Sequence, residues 1–510
     1  SSSLKLGLCR ISKKTPYVVL TTPRRLFFNP SRPRFKYCEY TSSRIAHNRI
    51  KMSHLILEGI LKQAGINAPS LNHISLTGQD PILPSPFLIG EAGAAALAAI
   101  GYAAAELWRC KTGKLQNVEI SVRDAAIAQR SHQYLRVVDG VTEDLWSPLS
   151  GFYTTLDKRS IQFHCNFPHH QQGVLDFLSC EASKEAVSAA VKNYSAEYLE
   201  NELNARGLCA SVVRTRDEWL QHPQSSAIAQ LPLFEIIKIA DSQPKALPDG
   251  NYPLSGIRVL DLTRVLAGPV CGKSLAEHGA NVMRIASPNL PFILPLVMDT
   301  GFGKYAAHLD LEQDQDKNRL LDLVKSADVF LQAYRLGALA AKGFSAQELA
   351  QIRPGIIYVD LSAYSHQGVW AHRHGYDSLV QSATGIAAEQ SQGANIQHLP
   401  AQSLDYITGY LATFAVMEAI RRRSIDGGSY LIRLSLTQTA HWFNNLGRTA
   451  AEFKNCHNPE ASEIQDLLVK TQTQFGILEH LAPVLKMSET PLQIGRGSVP
   501  LGFDPAQWIG

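Results

Sequence analysis

The stretch "RVLDLTRVLAGPVCGKSLAEHGANVMRI", Arg258 to Ile285, reads as strand, loop, helix and strand, the start of an α/β fold. The strand "IRVLDL" ends near Leu262. The loop that follows contains neither G-x-G-x-x-G nor a Walker lysine motif. A pyrophosphate would have to approach a bulky Leu266-Ala267 instead of glycines, which disfavours a tight dinucleotide cradle. The loop leaves room for a ligand held by backbone groups and long side chains. Downstream, "DKNRLLDLVKSA", "DVFLQAY", "SAQELAQIR" and "IIYVDL" alternate helix and strand patterns. That alternation predicts parallel strands joined by crossover helices, with the 263–268 loop at their carboxyl ends.

Outward from this block, the 510 residues divide by pattern. Residues 52–150 are helix-rich and carry the strand "NVEISV". Residues 151–245 have the signature of a small α+β unit: "SGFYTTLDKRSIQFHC" alternates like a hairpin, and helical spacing follows. "DSQPKALPDGNYPLSG" is polar and rich in Pro and Gly, a linker. The α/β block spans 250–450, and 451–510 is expected to be a helical tail. A shift of 314 residues lays "EAGAAALAAIGYAAAELWRCKTG" on "DYITGYLATFAVMEAIRRRSIDG", and "NVEISVRDAA" on "LIRLSLTQTA". The match covers a whole helix–turn–strand unit without a gap and places Glu91 on Asp405.

Composition bounds the function. Hydrophobic residues make 45% and charged residues 18%, a globular balance. The net charge of +4 hides two regions: residues 1–51 hold 12 Lys/Arg and one acid, Glu39, whereas the remainder carries −7. The mildly acidic body argues against a nucleic-acid surface. No apolar run reaches the ~18 residues of a membrane span. The Ser/Arg-rich, acid-poor head suits either a transit peptide or an extended start before Met52, so the expected compartment is mitochondrial or cytoplasmic. Eight scattered cysteines without C-x-x-C fit a reducing compartment. In "HCNFPHH", His164, Cys165, His169 and His170 match no zinc spacing, and we expect no metal.

Asp405 opens the helix "SLDYITGYLATFAVMEAIRRR". A carboxylate there suits a helix cap. It also suits a nucleophile: a free aspartate, of pKa ~3.9, is ionised at neutral pH and can attack a thioester without a base.

The opening stretch resembles the first signature of the family III coenzyme A transferases, the CaiB/BaiF family that includes formyl-CoA transferase. The likeness continues through "GKYAAHLDL", "ADVFLQAYRLGALAAKGF", "RPGIIYVDLSAY" and "HGYDSLVQSATGI" to "SLDYITGYLATFAVMEAI". Residues 86–245 resemble the family's later half, so the halves stand in swapped order. The resemblance implies an α/β fold in which a Rossmann-like parallel-sheet coenzyme A domain carries a smaller α+β domain. It implies coenzyme A transfer between an acyl-CoA thioester and a carboxylic acid through an aspartyl intermediate on Asp405. It implies CoA contacts from Leu266, Ala267, Gly268, Lys304, Tyr334 and Tyr364, no permanently bound cofactor, and a homodimer among the expected states. Its repeat copy, Glu91, is longer by a methylene and is read as structural.

Two other classes stay open. The family also holds alpha-methylacyl-CoA racemases, whose histidine before the aspartate of G-H-D is Tyr376 in Gly375-Tyr376-Asp377; His372 and His374 are near in sequence. A non-catalytic acyl-CoA-binding protein is the third reading. It is favoured by departures such as Ser287 at the position of an arginine that formyl-CoA transferase offers to the coenzyme.

Overall fold

The computed structural model describes residues 52–393 and 395–509. The basic head, and every expectation placed on it, lies outside the described residues. Among them, no helix is long and apolar enough to cross a membrane.

The centre is a seven-stranded sheet. Its strands are β1 (Glu235–Ala240), β2 (Arg258–Leu262), β3 (Asn281–Ala286), β4 (Lys304–His308), β5 (Val329–Gln332), β6 (Ile357–Ser362) and β7 (Ser429–Ser435). The spatial order is β4-β3-β2-β5-β6-β7-β1, parallel throughout except for the antiparallel edge strand β1. "IRVLDL" and "IIYVDL" thus flank β5 in one sheet, with Val329 in register with both Val259 and Ile357. Period-two side chains bury both faces: Leu260, Met283, Phe330 and Tyr358 fill one core, and Val259, Val282, Leu331 and Val359 the other. Strand order reverses between β2 and β5. That switch point opens a crevice at the strands' carboxyl ends, where the 263–266 loop lies.

Five helices position the site: α1 (Ile89–Thr112), α2 (Ala267–Glu277), α3 (Leu294–Thr300), α4 (Asp377–Ala383) and α5 (Ser403–Asp426). Helices α1 and α5 pack side by side in one core, and their bounds coincide after the 314-residue shift. The repeat extends to the next unit, where Ser121 and Ser435 each cap a following helix, accepting from the N–H of Asp124 and Gln438. Helix α5 is buried on every side from Ser403 to Ile420, with apolar residues on all its faces and few polar ones among them. At its C-terminal end Arg423 donates to Asp328 (3.1 Å) and to the Gly355 carbonyl (2.9 Å), a cation placed to suit the helix dipole.

The small unit is a three-stranded antiparallel sheet (Gly151–Thr154, Ser160–Phe163, Ala210–Val212) under three helices with its own core. Its boundary differs from the sequence-based 151–245. Residues 235–240 form β1, because the polar linker begins only after them and "EIIKIA" can extend the large sheet as an edge. The C-terminal segment is also corrected. Residues 451–510 carry short 3-10 turns and then an antiparallel hairpin (Leu468–Thr473, Gly476–Leu481), not a helical tail. "LVKTQTQFGILEHL" alternates with period two around Gly476 at φ 93°, which is a strand-turn-strand pattern. The chain end returns to β4, where the Asp504 carboxylate accepts from the Ala306 N–H at 2.9 Å.

Candidate active site

Asp405 sits in the first turn of α5, 8% exposed. The helix has no cap of its own: Gln402, the preceding residue, makes no side-chain capping bond. The cap comes from α4. Asp377, its first residue, accepts the Asp405 N–H at 2.9 Å and also the Leu404 N–H, and Gln381 steadies its other oxygen. These are two of the four N–H groups a helix leaves unpaired. The small unit in turn anchors α4: Gln162 donates to Ser378 (2.9 Å), and the Arg214 N–H donates to the Ser382 carbonyl (3.0 Å).

Two buried carboxyl groups side by side cannot both ionise freely. Burial, and then the Asp377 charge, raise the Asp405 carboxyl well above the usual range, opposed by an N–H donated from Ala267. Burial lifts Asp377 to about 6 against the two backbone N–H groups that favour its charge. The expectation that Asp405 is a freely ionised aspartate is therefore corrected. Of the two, Asp405 carries the less favoured charge, since Asp377 keeps two backbone N–H groups and Gln381 on its oxygens.

The β2–α2 loop closes on this pair. Ala267 is the first residue of α2, so its N–H is another unpaired helix donor. Helices α2 and α5 approach closely because Gly409 has no Cβ; one there would stand 2.6 Å from the Ala267 carbonyl. Val265 adopts φ +67°, a left-handed conformation disfavoured for a β-branched residue, and this strain lies at the edge of the chamber beside Asp405. Leu266 lines the same chamber, and Gly268 is buried with no room for a side chain against Thr263.

Three expected CoA contacts are placed elsewhere. Lys304 is 1% exposed and is saturated by Asp261 (2.7 Å) and the Pro269 carbonyl (2.7 Å). It supports the loop from beneath and presents no surface to a ligand. Burial pulls Lys304 down to about 7; Lys304 and Arg284 outweigh the effect of burial on Asp261 and hold that carboxyl below its usual range. Gly272 makes space for the pair, since a Cβ there would meet Asp261 at 2.4 Å. Tyr364 is also enclosed, its ring edge-on to Trp370 and its carbonyl accepting from Gln224. Tyr334 lines a separate cleft with Leu336, Ser365 and His366. Sequence motifs mark both contact residues and the residues that hold them, and only packing separates the two.

The structure adds residues that the sequence did not place at the site. His132, Trp146, His164 and Asn166 line the chamber with Asp405 and Asp377. Burial drops His132 to about 4 and His164 to about 3, so both are neutral imidazoles at physiological pH. His132 bonds the Tyr406 hydroxyl at 3.0 Å; His164 stacks on Tyr376 at 4.1 Å, and its Nδ1 has no partner. His372 and His374 do not line the chamber. His374 instead meets His170 and Cys209, with donor atoms within 4.8 Å of one another. Those are metal-ligand types, but Arg264 and Arg335 place positive charge on the cluster and burial pushes the Cys209 thiol up, both of which oppose a cation. A second pocket adjoins the chamber and shares Val265, Ile293 and Leu296 with it. It runs along the carboxyl ends of β2 and β3 past Arg264, Arg284 and Ser287.

Residues 254–471 match the model of CoA-transferase family III. Similar proteins include the acetyl-coenzyme A transferase nodX of Hypoxylon pulicicidum, 30% identical over 51% of this chain and 47% of the relative. An acyl-CoA transferase of Gibberella moniliformis is 35% identical over 50% and 48%. The probable fatty acyl-CoA transferase Rv3272 of Mycobacterium tuberculosis is 30% identical over 38% and 53%. The chain spans about half the length of these curated relatives.

Proposed function

We propose that this chain transfers coenzyme A between an acyl-CoA thioester and a carboxylic acid, with Asp405 as the covalent nucleophile. The observation that carries the reading is the convergence of Asp405, the Asp377 cap and the Ala267 N–H on one chamber beside the β2 switch-point pocket. The coenzyme takes the pocket past Arg264, and its thioester reaches the chamber across Val265. The Asp405 carboxylate attacks the thioester carbonyl; the C–S bond breaks, leaving a mixed anhydride and the CoA thiolate. The thiolate attacks the aspartyl carbonyl, releasing the donor acid and forming an aspartyl thioester. The acceptor carboxylate attacks that thioester, and the released thiolate then takes the acyl group from the new anhydride, which regenerates Asp405. The Ala267 N–H is placed to stabilise an oxyanion on the aspartyl carboxyl. Enclosure by α2 and α5 keeps water from the anhydride.

The test is Asp405→Asn, which keeps size and most hydrogen bonds but cannot form the anhydride. CoA exchange should fall by several orders of magnitude. Hydroxylamine should trap acyl-CoA-treated wild type as a hydroxamate on the peptide containing Asp405. Full activity in the variant, or trapping at Glu91, refutes the assignment.

The isomerase reading is supported by one feature, the unpartnered Nδ1 of neutral His164 in the chamber. Deuterium uptake from D2O at the acyl α-carbon, lost in His164→Ala, would favour it over transfer.

A further inference from the structure

The chamber beside Asp405 has walls but no cation. Its apolar surface comes from Leu145, Trp146, Val265, Leu266, Ile293 and Leu296, and its cavity is about 50 Å³. Among the described residues lining it there is no lysine or arginine. The polar groups present can hydrogen-bond but not neutralise an anion. The Asn166 amide is already engaged with the Leu145 carbonyl and the Ser147 N–H, and burial keeps both histidines uncharged. The Arg264 guanidinium belongs to the adjoining pocket, where it lies over the Phe167 ring at 5.5 Å and bonds the Pro291 carbonyl. Arg284 is spent on the Thr300 carbonyl and hydroxyl. An acyl group with its own distal carboxylate would thus bury an unpaired negative charge beside the charged Asp377, an arrangement with a steep cost.

We infer that the chamber accepts a small uncharged acyl group, so that the acids exchanged are monocarboxylic and dicarboxylic acids are refused. This rests on reading the chamber as the acyl site. Charge is sorted spatially: the pocket that holds Arg264 takes the anionic end of the thioester, and the chamber takes the neutral end.

The test compares two ligands of equal carbon count, butanoyl-CoA and succinyl-CoA, binding to the Asp405→Asn protein by calorimetry, so that no turnover intervenes. Butanoyl-CoA should bind at least tenfold more tightly. Trp146 is 39% exposed at the rim, so Trp146→Arg in the same background adds a cation with little risk to folding, and circular dichroism checks it. It should narrow the ratio at least threefold. Equal or tighter succinyl-CoA binding, no binding of either ligand, or a ratio unmoved by Trp146→Arg overturns the inference. Wild-type exchange with a panel of acids reports separately on the transfer reading: no exchange with any acid, with the binding preference intact, removes transfer and leaves the chamber's selectivity standing.

Discussion

Asp377→Asn tests the carboxyl pair directly. The proposed transfer needs Asp405 as a carboxylate, so kcat/KM should rise with pH through the raised Asp405 pKa. Asp377 contributes to that rise through its charge: its Oδ2 accepts the Asp405 backbone N–H at 2.9 Å, which makes the two side chains near neighbours. Two like charges ~5 Å apart at an effective dielectric of ~20 repel by about 3 kcal/mol, or roughly two pH units. Burial is the larger cause of the Asp405 shift and is untouched by the substitution, and partial solvation weakens the repulsion. The acid limb should therefore move down by about one to two units without reaching the value of a free aspartate. The asparagine carbonyl can still accept the Leu404 and Asp405 N–H groups, though without charge, so unfolding free energy should drop by only about 1 kcal/mol. The assay is kcat/KM for CoA exchange from pH 5 to pH 9, with Tm followed in parallel. An acid limb that stays in place or moves up would falsify the account that the Asp377 charge raises the Asp405 carboxyl.

Lys304→Met should destabilise by about 3–5 kcal/mol in chemical denaturation, since it strands Asp261 as a buried charge; adding Asp261→Asn should recover part of the loss. If Lys304 touched coenzyme A instead, the double variant would regain stability and still show a raised KM. Val265→Gly should hold or raise Tm, because glycine accepts φ +67° without strain of about 1–3 kcal/mol, while kcat/KM falls at least tenfold as the loop loses its fixed shape. A drop in Tm would mean that the side chain's packing outweighs the strain.

The parallel sheet was legible because strands such as "RVLDL" and "IYVDL" must bury both faces, and the breaks between them are polar. The helix that carries Asp405 was legible twice over, since α1 and α5 keep the same length and the same serine cap on the following helix. The chamber was not. Asp377 lies 28 residues before Asp405, and the chain path between them carries no periodicity that brings α4 to the start of α5. His132, Trp146 and His164 come from segments far from 405, and their shared wall is a property of packing alone. The β1 boundary and the C-terminal hairpin were missed for a different reason: both are short alternating stretches next to polar linkers, where period-two and loop patterns compete.

The two repeats can be compared for what each places around a carboxyl group at a helix start. At α1, Asp80 accepts the Gly90 and Glu91 N–H groups, just as Asp377 accepts those of Leu404 and Asp405. Burial raises Asp80 to about 6 and, with the Asp80 charge, Glu91 to about 7, so the pairing of two raised carboxyl groups recurs. Capping and a raised pKa are therefore properties of the repeat, not of the active site. What Asp405 has in addition is the start of α2: an N–H donated to its carboxyl by Ala267, and a strained loop that opens toward the switch-point crevice. The Glu91 carboxyl draws no such N–H among the described residues. The capped acid pair is common to both copies, and under the proposed function it is the β2 loop that would select Asp405 to meet a thioester.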